Sequence, residues 1–358
     1  MSLLRRDRNR PFATAAKASA LMLCALGFAC SSEENAAGSA QGAASLAAGP
    51  GSTGAGTGST GAGAAGSTGS GGGAGTGTGA GGGGVGGSGP SDNGFPDHWD
   101  DGLACGAVPD VQVWEYDADT FILRQSLCSN FEGPFWYLFF GSDRAFLQDT
   151  GTGDVDGEAV VSGIIADWLV RNGKASIDLV VTHSHAHGDH VGGDSQYAGI
   201  PNTTVVSPSA AAVQAFFGID GWPNQVVQYD LGGRVLDIIP IPGHESAHIA
   251  VYDRRQDLLL TGDTLYPGRL YINNWSAYQA SVGRLVGFVD AGNPAKWVLG
   301  THIELNGSGQ DYDFGSDQHP NEHVLQLDYG VLTELNQAVI AMGGSPSYEA
   351  HPHFIIYP

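Results

Sequence analysis

Positive charge is what this sequence has least of: 15 Lys and Arg stand against 37 Asp and Glu in 358 residues. Five of those bases (Arg5, Arg6, Arg8, Arg10 and Lys17) fall in the first 30 residues beside one acid, Asp7. The remainder therefore carries 10 bases and 36 acids, a formal charge of −26. Such a surface repels phosphate backbones and argues against a nucleic-acid partner; its plainer role is a solvated face that keeps a protein in solution. An apolar run able to stay in a membrane is missing too. The stretch Ala18 to Ala29 follows a basic start but is too short and too poorly flanked for a lasting span, so residues 1–30 read as an export signal. Its end, Leu26-Gly27-Phe28-Ala29-Cys30, looks like a bacterial lipoprotein cleavage site with Cys30 as the lipid-carrying residue, simple cleavage and release being the alternative. The expected location is the periplasm or outer surface, with membrane contact only through that anchor. Cysteine is sparse as well: beyond Cys24 and Cys30 only Cys105 and Cys128 remain. In an exported chain they are expected to pair, closing a loop of about 23 residues that contributes roughly 3 kcal/mol in the chain-entropy model; two unrelated thiols are the alternative.

What is abundant at the start is Gly, Ala, Ser and Thr. Residues 31–92 hold too little apolar surface to offset the entropy of ordering and are expected to act as a disordered tether, about 55 residues of it spanning on the order of 40 Å. Residues 93–358 are left as one folded domain, long enough to bury a full core.

In that domain short apolar runs alternate with helical periodicity, the pattern of an α/β fold. Strands are predicted at Val111 to Val113, Phe121 to Arg124, Phe135 to Phe140, Ala145 to Gln148 and Ile177 to Thr182. A second set is predicted at Val235 to Ile239, His248 to Tyr252, Leu258 to Leu260 and Trp297 to Leu299. Helices are predicted over Glu158 to Asn172, stopped by Gly173, over Ala277 to Val289, and over Glu322 to Met342, capped by Gly343. Two βα halves that send residues from strand ends to a shared edge imply a four-layer αββα sandwich.

The chemistry concentrates at those strand ends. Thr182-His183-Ser184-His185-Ala186-His187-Gly188-Asp189-His190 contains HxHxDH, four ligand-type residues in six positions. Alternation in an extended loop points His185 and His187 the same way, toward one ion, and a tight turn can direct Asp189 and His190 at a second. Pro242-Gly243-His244, Thr261-Gly262-Asp263 and Gly300-Thr301-His302 each follow a strand and add a nitrogen, a carboxylate and another nitrogen. Singly, each would be an ordinary capping or core residue. In order, they form one constellation.

These residues, from about Val111 to His302, resemble the metallo-β-lactamase superfamily, most closely its glyoxalase II and lactonase-like branch. The resemblance implies that His185, His187 and His244 hold a first zinc, that Asp189, His190 and His302 hold a second, and that Asp263 bridges both. It implies a supporting role for Asp149. True β-lactamases of the fold have cysteine or serine where Asp263 stands, which speaks against β-lactamase activity. Diiron flavoproteins have glutamate where His187 stands, which favours zinc over iron. Two zinc ions would activate a bridging water to attack the ester, thioester, lactone or amide carbonyl of a small substrate, with Asp189 orienting it; Tyr266, three residues past Asp263, either donates to the oxyanion or serves packing. The alternatives are an iron-dependent persulfide dioxygenase-like enzyme and a non-catalytic metal-binding lipoprotein. His183 reads as a supporting or exposed histidine, His248 as a supporting or strand histidine, and the polar run from Thr301 to Glu322, including His319, as a substrate-facing loop or a merely solvated one.

Overall fold

The computed structural model describes residues 94–358; the expected export signal, Cys30 and the expected tether of residues 31–92 lie outside them. The first half runs β1 (Val111–Asp117), β2 (Thr120–Gln125), β3 (Phe135–Phe140), β4 (Arg144–Gln148), α1 (Gly157–Asn172), β5 (Asp178–Thr182), α2 (Gly188–Val191), α3 (Asp194–Tyr197), β6 (Thr203–Val205) and α4 (Ala210–Phe217). The second runs β7 (Val227–Asp230), β8 (Val235–Pro240), β9 (Ile249–Asp253), β10 (Leu258–Gly262), β11 (Arg269–Tyr271), α5 (Trp275–Asp290), β12 (Trp297–Gly300), β13 (Gln326–Leu327), α6 (Tyr329–Met342), β14 (Glu349–Ala350) and β15 (Ile355–Tyr357).

Two six-stranded sheets result, ordered β1-β2-β3-β4-β5-β6 and β13-β12-β10-β9-β8-β7, with β11, β15 and β14 in a small third sheet. Strand alternation sorts the core into layers. In β3, Phe135, Tyr137 and Phe139 join residues of the second sheet such as Ile238, Val251 and Leu260, whereas Trp136, Leu138 and Phe140 face out and pack with Val161 and Trp168 of α1. The outer face of the second sheet, with Ala250, Leu259 and Val298, is covered by Val282 and Leu285 of α5 and Leu332 and Leu335 of α6. Helix, sheet, sheet, helix is the four-layer sandwich the sequence implied.

The first helix forms where periodicity placed it: Asp156 caps its start by accepting from the Ala159 N–H, and Gly173 ends it in the left-handed region at φ 62°. The last helix corrects the expectation. It begins at Tyr329, capped by Asp328, rather than at Glu322. The preceding residues have tertiary partners that helical pitch would break: Gln326 and Leu327 pair with β12, and the Glu322 carboxylate grips the buried Arg124 guanidinium through two contacts of 2.6 Å. Cys105 and Cys128 form the expected disulfide.

Candidate metal centre

Five strand ends deliver the site. β4 and β5 are parallel, β10 and β12 are parallel, and β8 shares the direction of β10 because both lie antiparallel to β9. Leaving these strands, the chain presents Asp149 after β4, His183 to His190 after β5, His244 after β8, Asp263 after β10 and His302 after β12. Gly262 allows the exit from β10: its φ is 50°, and a Cβ there would lie 2.4 Å from His248 Nε2 and 2.8 Å from the Ser184 Cβ.

Two donor groups form, sharing one residue. His185, His187, His244 and Asp263 bring ligand-type atoms within 4.8 Å of one another, as do Asp189, His190, Asp263 and His302. In the first group His185 Nε2 lies 2.9 Å from His187 Nδ1 and 3.1 Å from His244 Nε2, which is itself 3.0 Å from His187 Nδ1. In the second, Asp189 Oδ2 lies 2.9 Å from His190 Nε2 and 3.2 Å from His302 Nε2. The two oxygens of Asp263 divide between the groups. Oδ2 faces His185 and His244 at 3.7 and 3.4 Å, and Oδ1 faces His190 and His302 at 3.6 and 3.5 Å.

The opposite ring edges show what those nitrogens can do. His244 Nδ1 donates to the Tyr271 carbonyl at 2.6 Å and His302 Nδ1 to the Glu132 carbonyl at 2.9 Å. A carbonyl only accepts, so the hydrogen sits on Nδ1 and Nε2 keeps a lone pair toward the centre. His190 Nδ1 likewise faces Asp149 Oδ2 at 3.1 Å. Lone pairs about 3 Å apart repel unless a proton or a cation lies between them, and a set of imidazoles with shared carboxylates suits a divalent transition metal.

The two donor groups differ in how readily they hold protons. Burial disfavours charge on His302, but Asp263 and Asp189 outweigh it and push the ring up to about 10. His190 is buried too, yet Asp189, Asp149 and Asp263 hold it well above the ordinary imidazole range. His185, by contrast, is held well below that range by burial and by His190 beside it. Burial alone would raise Asp263; His302, His190 and His185 keep it well below the usual carboxylate range.

The supporting residues are only partly visible in sequence. Asp149, as expected, backs the site: it adopts a left-handed φ of 70° and accepts from the Ser184 N–H at 2.6 Å and the Ser184 hydroxyl at 2.9 Å. Ser184 and Thr301, whose hydroxyl donates to Asp263 Oδ1, lie inside the motifs and were findable by position. The Tyr271 and Glu132 carbonyls carried no signal, because a backbone acceptor has no residue signature, and neither did Asn273, whose side-chain amide donates to the His244 carbonyl from a segment outside the motifs.

His183 belongs to neither donor group; it is buried, with Nε2 2.7 Å from Asp194 Oδ1. His248 is fully buried, stacks on the His185 ring at 4.7 Å, and neither of its ring nitrogens has a hydrogen-bond partner among the described residues. Tyr266 takes the packing role of the two expected for it, not that of an oxyanion donor. Its ring stands 5.5 Å from that of His302, but its single O–H is donated to the Arg269 carbonyl, with Glu304 Oε2 3.2 Å away, so no donor remains for a substrate oxygen. In the polar run after His302, His319 is buried and stacks on Tyr312 at 4.2 Å, while Glu304 and Phe314 reach the site. A pocket of about 310 Å³ opens over the two donor groups, walled by Glu132, Tyr271, Asn273, Glu304 and Phe314.

Known proteins are similar to this chain over part of its length. A family model described as the Metallo-beta-lactamase superfamily matches residues 130–299. The chain is 36% identical over 122 residues to a hydroxyacylglutathione hydrolase of Ectopseudomonas mendocina, covering 33% of this chain and 46% of that one. It is 26% identical over 217 residues to an acyl-coenzyme A thioesterase of Bos taurus, covering 51% and 77%. The chain spans about half the length of the hydroxyacylglutathione hydrolases it matches. Among solved structures, the metallo-beta-lactamase from Pontibacter korlensis is similar with a TM-score of 0.44 at 18% identity, covering 64% of this chain and 99% of that one.

Proposed function

We propose that this chain, whose residues 130–299 match the model described as the Metallo-beta-lactamase superfamily, is a dizinc hydrolase of small acyl substrates, cleaving an ester, thioester, lactone or amide. One observation carries the reading: the carboxylate of Asp263 turns one oxygen to each of two separate histidine groups, the arrangement a bridging ligand needs. His185, His187 and His244 would hold one ion and Asp189, His190 and His302 the other. Such ions supply Lewis-acid polarisation of a carbonyl and an acidified water at neutral pH. The chain itself does the positioning. Asp189, in reach of the pocket, accepts a hydrogen from the attacking water and so orients it, while Tyr271 and Glu132 lock the tautomers of His244 and His302.

The names of the relatives, a hydrolase of hydroxyacylglutathione and a thioesterase of acyl-coenzyme A, support acyl hydrolysis. An exported location belongs to the same proposal and is supported by the Cys105–Cys128 disulfide, since such bonds persist in oxidising compartments. The test is metal analysis of purified protein together with a hydrolysis screen against lactones, thioesters, phosphodiesters and β-lactams. Near two zinc per chain, with turnover abolished by chelation and restored by zinc, is the expected result. A single iron with oxygen uptake on a thiol substrate would instead establish the dioxygenase, and bound metal without any turnover would leave a binding protein.

A further inference from the structure

The wall of the pocket bears on which acyl substrates fit, an inference that rests on the hydrolase reading. No Lys or Arg lines it. Behind that wall Arg269 is buried, and both of its terminal nitrogens are engaged: they meet Glu304 Oε1 at 3.0 Å, Asp311 Oδ2 at 3.1 Å and the Tyr312 carbonyl at 2.8 Å. Glu304 is engaged in return, its other oxygen accepting from the Arg269 N–H at 2.7 Å. Glu132 differs. It lines the pocket, yet its carboxylate forms no ion pair or side-chain hydrogen bond among the described residues. Beside it stands Phe314, 72% exposed and held edge-on by Phe131 at 5.7 Å between ring centroids.

The charge of bound metal does not reverse this picture. Asp189 and Asp263 would offset about half the charge of two divalent ions, and Glu132, Glu304 and Asp311 against the lone Arg269 offset the rest, so no surplus attracts a polyanion. An unpaired carboxylate next to an exposed aromatic face is the chemistry that receives an ammonium group.

We propose that Glu132 and Phe314 form a subsite for positive charge, so that the pocket selects acyl esters or thioesters with a cationic leaving group and rejects those carried on anionic thiols. This is the reverse of the charge on glutathione or coenzyme A. A matched series tests it on the zinc-loaded full chain: acetylthiocholine, S-acetyl-N-acetylcysteamine and acetyl-coenzyme A present one acetyl thioester on cationic, neutral and anionic carriers. We expect kcat/KM to fall in that order by roughly tenfold or more per step, the factor that about 1.4 kcal/mol carries. Raising the salt concentration compresses the series. Glu132→Gln, which keeps the backbone carbonyl that holds His302, should reduce the ratio of cationic to anionic turnover by about tenfold. Binding of the three free thiols, followed by calorimetry, should rank the same way. If none of the thioesters turns over, the hydrolase reading fails and the binding order still decides the subsite. Coenzyme A bound or turned over as well as its choline counterpart, or a ratio unmoved by Glu132→Gln, overturns the proposal.

Discussion

Asp149 receives His190 from behind: its Oδ2 lies 3.1 Å from Nδ1, on the side of the ring away from Asp189 and Asp263. The left-handed backbone at Asp149, φ 70°, is a conformation that a residue with a Cβ adopts at some cost, and here it aims the carboxylate at both His190 and Ser184. Asp149→Ala should therefore weaken metal binding by about 10- to 100-fold, the usual effect of removing a carboxylate behind a ligating histidine. Competition against a zinc chelator measures it; an unchanged dissociation constant would detach Asp149 from the site.

Asp263 faces both donor groups, so Asp263→Ala should lower the affinity of both ions together, by more than the ~100-fold upper value for a supporting residue. Metal content after dialysis against a weak chelator is the readout. Loss of one ion with the other retained at full affinity would contradict a shared ligand.

Tyr266 separates two readings of a site tyrosine. With its hydroxyl given to the Arg269 carbonyl, Tyr266→Phe should cost about 1 kcal/mol of stability and leave kcat within roughly threefold. Removing a donor to the transition-state oxyanion would instead cost about 10²- to 10³-fold in kcat. Urea denaturation and steady-state kinetics on the same variant distinguish them.

Arg124 is wholly buried and meets Glu322 through two contacts of 2.6 Å, tying β2 to the chain just before β13. Glu322→Ala would strand the guanidinium, at a cost of about 3 to 5 kcal/mol, while replacing both residues by apolar ones of similar volume should recover most of it. A loss under about 1 kcal/mol for the single variant would show the pair to be dispensable.

His323 gives a pH dependence. Burial, with His353 beside it, lowers its pKa from 6.5, despite the Val324 carbonyl that accepts from Nδ1 at 2.7 Å. Its Nε2 faces His353 Nδ1 at 2.9 Å, so a proton added there would oppose another N–H. The unfolded chain then binds the proton more readily, and stability contributed by the neutral ring is present above 6.5 and lost as pH falls below 6.5 through the folded value. Denaturation midpoints of zinc-loaded wild type and His323→Gln, compared from pH 7 to 5, should converge as the pH drops; parallel curves would rule the effect out.

Much of the architecture followed from short-range pattern. The alternation in Phe135 to Phe140 and the periodicity of Glu158 to Asn172 are local properties of the chain, and both elements formed within a residue of where they were expected. The short elements between Asp194 and Asp230 had no comparable signal: β6 has three residues and α4 eight, too few to show a period. The helix expected from Glu322 failed for a different reason, since Arg124, nearly 200 positions earlier, claims the Glu322 side chain.

For the site, residue identity and order were enough to name His185, His187, Asp189, His190, His244, Asp263 and His302, because ligand chemistry is carried by side-chain type and strand ends announce themselves in the apolar runs before them. Only the folded chain could show that Asp263 turns one oxygen to each histidine group, that carbonyls of Tyr271 and Glu132 set the tautomers, and that Tyr266 has given its hydroxyl away. Those are matters of direction and distance between segments far apart along the chain, and no local pattern of residues encodes them.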